Sequence, residues 1–580
     1  MTNYTRLWRA LLLGSFLFGL SNTAVWSGWM HPPEGYRPLF LIRSHDMAEY
    51  ATHLRLASDP SWVTREMHPP WTLQGGIFTP LMLVPGRIGH WLGVSPAFTF
   101  QATFFLFAIV GAWALLYAMD FFLPTPRQRW WTFAAVIAAI PLLLLPIPIR
   151  SLLRLPAEFY ALGMVEFAYN SADGLFRSGL SNTFTLTCGT IAMLLALTFT
   201  AKRIATGKPV FRYLAAVTMF FSALLHPFEF IVMVPASTLA LLWAAKLSDR
   251  WREAFADCAW NAGATVAGLA PTVYLAFRYP WISDLSTVFT ERMYPTSLLA
   301  IYGLPLILVV YCLLLRYRPA SPSDRVLLIW FLTTAIIVCL PYCPYPPHLL
   351  DGFVYVTAML LVRLLFEHRQ TKALYQTRPK LVLGLGSAVV AWSLIAMVSL
   401  HVQLWKDGRS STPLLLTAVT STDELGAAEW LRGHVSREDL VLAPPDLAPW
   451  LTAVPMHAFA SHVLRSFTYE RQLQEASAFY DGESPQSARE LLEGYGVHWV
   501  VAPSSSAAIR YFSGPPATQI GALRIYEIPG ARMKPYPGLA RLLPGAENTR
   551  SLSRVVMDAT TKLSQIGAYL WARLSGNRRA

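Results

Sequence analysis

Charge is what this sequence has least of. Asp, Glu, Lys and Arg together make up 14% of its 580 residues, against roughly 25% in an ordinary soluble domain, and that shortage excludes a chain whose whole surface faces water. Cysteine is scarce too. Cys188, Cys258, Cys312, Cys339 and Cys343 lie in or beside apolar segments, so neither a disulfide framework nor a zinc site is indicated. Cys339 and Cys343 are four positions apart, but Pro341 between them breaks a regular helix, and they read as core or interfacial residues. Nucleotide-binding loops are absent: there is no P-loop and no G-x-G-x-x-G between a strand and a helix. There are no internal repeats or low-complexity tracts. The net charge of +13 comes without any compact basic stretch interleaved with aromatics, so it gives no reason to expect a nucleic-acid partner; basic loops on one side of a membrane account for it.

Apolar residues are abundant, at 54%. A crossing of the hydrocarbon core takes about 20 mostly apolar residues, and windows such as WWTFAAVIAAIPLLLLPIPI (130–149) and LVLGLGSAVVAWSLIAMVSL (381–400) qualify. The pattern predicts a polytopic α-helical membrane protein with about 11 transmembrane helices, near 8–30, 98–123, 130–149, 179–200, 211–225, 228–246, 258–278, 296–316, 326–342, 349–366 and 381–401. The first, behind Arg6 and Arg9, reads as an uncleaved helix, because it is long and no small-x-small cleavage site follows. Two places are ambiguous: 75–94 is apolar but broken by Pro80 and Pro85, and His226-Pro227 separates two short windows that one kinked element would also explain. Alternate connections, PTPRQR, AKRIATGKPVFR, KLSDRWR, RYRPASPSDR and EHRQTKALYQTRPK, each carry at least two cations. They are assigned to the cytoplasm, which puts the N-terminus inside and everything after the last window outside, in a bacterial inner membrane and its periplasm.

Three regions follow: a transmembrane module 1–405 with a long first outer loop 31–97, a periplasmic α/β domain 406–545, and an amphipathic helix over 546–580 that can lie on the membrane surface. In the second region STDELGAAEWLRGHV reads as a helix with Leu425, Ala428 and Leu431 on its apolar face. REDLVLAPP and VHWVVAP read as buried strands.

Ionisable residues gather in the outer connections. LIRSHDMAEYATHLRLASDP (41–60) reads as a helix capped by Ser44, with Asp46 in its first turn and Asp46, Glu49 and His53 along one face. A solvated helix in which these residues pair with Arg43 is the plain alternative. Arg150, Arg154, Glu158, Glu166, Asp173 and Arg177 fall between the third and fourth windows; His226 and Glu229 at the turn between two apolar segments; Arg278, Asp284, Glu291 and Arg292 after the seventh window; His348 and Asp351 before the tenth. Charge at a membrane edge is costly, so a converging set is a functional candidate. An enzyme acting outside without a nucleotide needs an activated substrate delivered through the membrane. A polyprenyl-phosphate sugar meets that need: arginines meet the phosphate and a carboxylate deprotonates the acceptor hydroxyl.

The Asp46…Tyr50 pair in HDMAEY, the many-helix body and the C-terminal AAEWLRGHVSREDLVLAPPDLAPWLTAVPMHAFASH, FTYERQLQEASAFY and LLEGYGVHWVVAP resemble the GT-C superfamily of integral-membrane glycosyltransferases, over nearly the whole chain. The resemblance implies Asp46 as the catalytic residue with Glu49 as helper. It also implies a late outer loop with an arginine-rich stretch before a glycine. Here that place reads PYPPHLLDGF, with His348 where a cation is expected and Asp351-Gly352 kept. Members differ over metal dependence, so a divalent metal ion stays open. The expected partners are a polyprenyl-phosphate-linked sugar donor, a glycan, lipid or protein acceptor, and membrane lipids. Arg150, Arg154, Arg177 and Arg278, in that order, are the candidate phosphate ligands, with His226, His348 and Asp351 as further substrate contacts. Two other classes stay open: a transporter or flippase of lipid-linked glycans, for which paired interrupted helices would be expected, and a non-catalytic scaffold for envelope assembly.

Overall fold

The computed structural model describes residues 3–39, 41, 45–57, 64–65, 76–139, 184–278, 294–314, 321–340, 349–367, 373, 376–411, 417–436, 438–451, 457–459, 469–532 and 534. Two compact units emerge, one of Met1–Thr64, Thr79–Ala270 and Thr290–His434, the other of Arg65–Phe78, Pro271–Phe289 and Val435–Ala580.

The first unit is mainly helical. Its helices are α1 (Asn3–Ser21), α2 (Thr23–Met30), α3 (His45–Leu56), α4 (Pro80–Trp91), α5 (Pro96–Phe122), α6 (Pro126–Ala138), α7 (Phe184–Thr206), α8 (Val210–Leu225), α9 (Phe230–Ser248), α10 (Trp251–Arg278, as far as Ala270), α11 (Pro295–Leu314), α12 (Pro322–Val338), α13 (Phe353–Glu367), α14 (Pro379–Asp407) and α15 (Thr422–His434). Several start where a hydroxyl precedes a proline. Ser95 accepts the N–H of Phe98, while Thr125 with Gln128 and Ser321 with Asp324 form reciprocal capping boxes. Each hydroxyl satisfies an N–H that has no partner inside the helix, and the proline fits the first turn because its missing N–H would be idle there.

Each of the eleven apolar windows coincides with a helix among the described residues, the third running beyond Ala138 into residues outside them. By length and composition four helices are able to cross a membrane, or up to five if α1 and α2, which meet at 64°, form one bent span. The others are shorter, interrupted or, like α10, less apolar. Pro227 separates α8 from α9, and α11 kinks at Gly303, whose φ is 59°. The crossing count of eleven is thus an expectation for which the helices are necessary but not sufficient.

Burial follows position in the bundle. The apolar stretch of α7 is 72% buried and that of α14 only 11%, with Leu381, Leu385, Ile395 and Val398 of α14 exposed. An apolar face of that extent is at rest only against lipid or another apolar surface. Inside, Trp330 donates its Nε1–H to Met193 Sδ at 3.1 Å, and Phe353 packs edge-on against Tyr302 and flat on Phe331.

Ion pairs mark one end of the bundle. Arg6 and Arg129 converge on Asp120 at 2.9 and 2.5 Å. Arg203 reaches Asp257 at 2.8 Å and Glu253 at 2.7 Å, Arg212 also pairs with Asp257, and Arg363 holds Asp324 at 2.5 Å. All lie at helix ends joined by the basic connections.

β1 (Tyr36–Pro38), in the connection after α2, pairs antiparallel with β4 (Val419–Ser421), which follows α14, Tyr36 opposite Ser421, while β2 (Thr64–Arg65) and β3 (Gly76–Ile77) pair with each other. Helix α15 then buries Ala427 and Leu431 and exposes Leu425, so of the expected line Leu425, Ala428 and Leu431 the last faces inward, Ala428 is half-buried and Leu425 is not. Its start is fixed by Glu424, which accepts hydrogen bonds from the N–H of Ser421 and the hydroxyl of Thr420.

In the second unit five strands form one mixed sheet. They are β5 (Leu440–Leu442), β6 (His457–Ala458), β7 (Trp499–Pro503), β8 (Thr518–Ile520) and β9 (Leu523–Glu527), in the order β6-β5-β7-β9-β8, with β6, β5 and β7 parallel and the remaining pairs antiparallel. The strand β7, buried along its first four residues, has the unbroken apolar run that a strand covered on both faces needs. Helices α16 (Ala448–Leu451), α17 (Tyr469–Asp481) and α18 (Pro485–Tyr495) belong to this unit, and Ala476, Phe479 and Leu491 pack with Leu442, Phe459 and Val500 in its core. The helix expected over 546–580 lies outside the described residues.

Candidate functional site

Three ionisable side chains meet at the bundle end opposite the ion pairs. The meeting is built from a proline and two glycines. Pro227 has no N–H and pushes the residue before it out of helical geometry, so α8 stops at His226, with φ −148° and ψ 86°. The chain turns through the hydrogen bond from Phe228 N–H to His226 O, and Glu229 opens α9, its carbonyl accepting from Val232 and Met233. This three-residue step lets the His226 Nδ1 edge hydrogen-bond to a Glu229 carboxylate oxygen. Ser222, one turn before His226, donates its hydroxyl to the other oxygen at 3.3 Å.

Asp351 arrives from the turn before α13. Phe353 N–H bonds back to Leu350 O at 2.9 Å, and Gly352 at the third turn position has φ +80°, which side-chain-bearing residues rarely adopt. The opposing helix α7 contributes by omission. A Cβ on Gly189 would stand 2.2 Å from Glu229 Oε1 and 2.3 Å from Asp351 Oδ2, so the two carboxylates occupy the space a side chain would take. Glu229 and Asp351 are fully buried and His226 is 6% exposed, and one ligand atom from each lies within 4.8 Å of the other two. At that spacing two carboxylates repel by roughly 3 kcal/mol at an effective dielectric constant near 20. Together with the imidazole they make a donor set suited to a proton or a cation.

Of the residues expected at a site, His226 and Asp351 are brought together. Asp46 and Glu49 lie on α3, with their side chains outside the described residues. Arg150, Arg154, Arg177, His348 and the capping residue Ser44 are also outside them. Arg278 is the exposed last residue of α10. The helix α3 itself is not the solvated element of the alternative reading. Met47, Ala48, Ala51, Thr52 and Leu54 are buried, His53 is 6% exposed, and the Tyr50 ring stacks on Phe100 at 6.1 Å. Glu229 belongs in the site beside His226. Its signal was present in the sequence as His-Pro-x-Glu between two apolar windows. Gly189 gave none, because its role appears only when α7 is set against α9 and α13.

No protein-family model matches the chain, and no curated protein does. Among solved structures it is similar to the archaeal oligosaccharyltransferase AglB from Archaeoglobus fulgidus in complex with an inhibitory peptide and a dolichol-phosphate, at 16% identity over 87% of this chain and 70% of that one, with a TM-score of 0.42. It is also similar to the Archaeoglobus fulgidus oligosaccharyltransferase in complex with Zn and sulfate, at 14% identity, 85% and 68% coverage and a TM-score of 0.39. The arabinofuranosyltransferase AftD from Mycobacteria gives 12% identity, 87% and 41% coverage and a TM-score of 0.41. Likeness at these scores leaves function to be argued from the chain's own residues.

Proposed function

We propose that the chain is a glycosyltransferase of GT-C type, moving a sugar from a polyprenyl-phosphate donor to a glycan, lipid or protein acceptor at the periplasmic face of a bacterial inner membrane. The observation that carries this reading is the chemical polarity of the bundle. One end holds arginines already neutralised by Asp120, Asp257 and Asp324. The other gathers buried His226, Glu229 and Asp351, and by loop charge that end faces outward, with the first outer loop that carries Asp46.

In the reaction Asp46 takes the proton of the acceptor hydroxyl as its oxygen bonds to the anomeric carbon, and the bond from that carbon to the phosphate oxygen breaks. The sugar inverts, and the leaving polyprenyl phosphate keeps the electron pair. Arginines stabilise the charge that accumulates on it, Arg150 and Arg154 first, then Arg177 and Arg278, each charge-assisted hydrogen bond contributing about 1.5–3 kcal/mol. Glu49 tunes Asp46, and His226, His348 and Asp351 contact the substrate.

The test is sugar transfer by purified protein in nanodiscs, over a panel of polyprenyl-phosphate sugars. Asp46→Asn keeps the shape but removes the base, so turnover is expected to fall by roughly 10² to 10⁴ with an unchanged melting curve. Full activity in Asp46→Asn would remove the base assignment, and donor use unchanged in both Arg150→Ala and Arg154→Ala would return those residues to loop structure. No transfer by the wild type from any donor defeats the reading as a whole.

A further inference from the structure

We infer that His226, Glu229 and Asp351 form a binding site for one divalent transition-metal cation of the zinc or manganese class, distinct from the acids of the first outer loop. The donor chemistry is the first ground. One imidazole nitrogen and two carboxylate oxygens suit Zn²⁺ and Mn²⁺ better than the all-oxygen cations. Geometry is the second. Donors at about 2.1 Å from an ion stand roughly 3–4 Å from each other, and here all three ligand atoms lie within 4.8 Å of one another, so a cation draws them together by small side-chain movements. Burial is the third. Glu229 and Asp351 are fully buried and His226 is 6% exposed, and carboxylates taken out of water are found paired or on a metal.

A separate observation comes from α7. The Gly189 position leaves open the volume in which Glu229 Oε1 and Asp351 Oδ2 sit, and a methyl group there would meet both oxygens at 2.2 and 2.3 Å. The ligands come from the α8–α9 turn and from the turn before α13, so the ion ties together elements that follow one another only after more than a hundred residues of chain. Three protein ligands leave a further coordination position for water or a substrate oxygen, the arrangement of metal sites that are not purely structural.

The site is tested on the full chain in detergent, stripped with a chelator, reloaded with Zn²⁺ or Mn²⁺ and desalted, with metal content measured by mass spectrometry. Wild type and Asp46→Asn are expected to retain one ion per chain. Glu229→Gln, Asp351→Asn and Gly189→Ala should retain less by roughly tenfold or more. The wild-type melting temperature should rise with added metal, and that of the variants should not. Asp351→Asn retaining the wild-type amount, or Asp46→Asn losing it, overturns the assignment. So does a wild type that holds no metal and melts alike with metal and with chelator, the result expected if a proton or an arginine neutralises the carboxylates. Should the variants fail to fold, the wild type alone decides by Mn²⁺ electron paramagnetic resonance. Loss of the aqueous signal up to one ion per chain, reversed by Zn²⁺, supports the site, and an unchanged signal overturns it. No sugar donor enters these measurements, so they stand or fall apart from the glycosyltransferase reading.

Discussion

Asp257 shows how much a single residue can be asked to hold. Its carboxylate takes Arg203 on one oxygen and Arg212 on the other, and the side chains of Asp257 and Arg203 are 5% and 7% exposed. Removing one member of a buried ion pair leaves the others charged and poorly solvated, which typically costs about 3–5 kcal/mol. Asp257→Asn is therefore expected to lower the unfolding free energy of the chain by about that much. Arg471→Ala, which breaks an i,i+4 pair with Glu475 from a side chain 62% exposed, should cost at most about 0.5 kcal/mol. Equal effects in a detergent unfolding assay would mean that the Asp257 network is solvated. Gly352→Ala belongs to the same scale. It places a Cβ at φ +80°, 3.2 Å from Met193, and strain of that kind amounts to roughly 1–3 kcal/mol. The turn that delivers Asp351 should then relax, and metal retention should fall along with stability.

At the scale of elements, what could be read from sequence depended on whether the signal was local. Apolar windows located helices because a helix in lipid must satisfy its own backbone within one segment. The strands in REDLVLAPP and VHWVVAP were legible for the same reason, as short apolar runs between turn residues. On α15 Leu431 faces inward as read, but Leu425 is exposed and Ala427 is buried instead, because the inner face is set by what lies against it as well as by the helix's own periodicity. The site was half legible: His226 and Asp351 stand at membrane-edge positions where an ionisable residue is conspicuous, whereas Gly189 acts only through its neighbours. The sheet unit offers a measurable case of such packing. Tyr480 on α17 donates its hydroxyl to Val501 O of β7 at 2.8 Å, and burial, with Asp446 nearby, raises its pKa well above 10. A phenol whose folded pKa is raised contributes stability that is complete below the unfolded value, near 10, and is lost as pH climbs past it toward the folded value. The chain should lose stability above about pH 10. Tyr480→Phe should remove part of that alkaline dependence while costing about 1 kcal/mol at neutral pH through the lost hydrogen bond. An identical alkaline profile in the variant would mean that Tyr480 ionises normally.

At the scale of the whole molecule, the pairing of β1 with β4 constrains the topology. Backbone hydrogen bonds join residues 36–38 to 419–421, and Ser27 of α2 donates its hydroxyl to the Trp405 carbonyl near the end of α14. A sheet cannot form across a bilayer, so both segments lie on one side and the number of crossings between them is even. The second to eleventh apolar windows make ten. Counting 75–94 as a further crossing would make the number odd, and α4 is a twelve-residue helix with Gly86 pressed against Leu54 and Ala57, as suits a segment folded against α3 rather than one spanning lipid. The basic connections are read as cytoplasmic, since short loops rich in Lys and Arg stay on that side, and reporter fusions test that reading. A periplasm-dependent reporter fused after Trp405 should be active, one fused within 31–35 should be active as well, and one placed in 367–380 should be silent. Opposite behaviour of the first two would contradict the β1–β4 pairing. The reverse pattern throughout, with 367–380 active and both others silent, would keep the parity, turn the His226–Glu229–Asp351 end toward the cytoplasm, and remove the periplasmic chemistry while leaving the metal site intact.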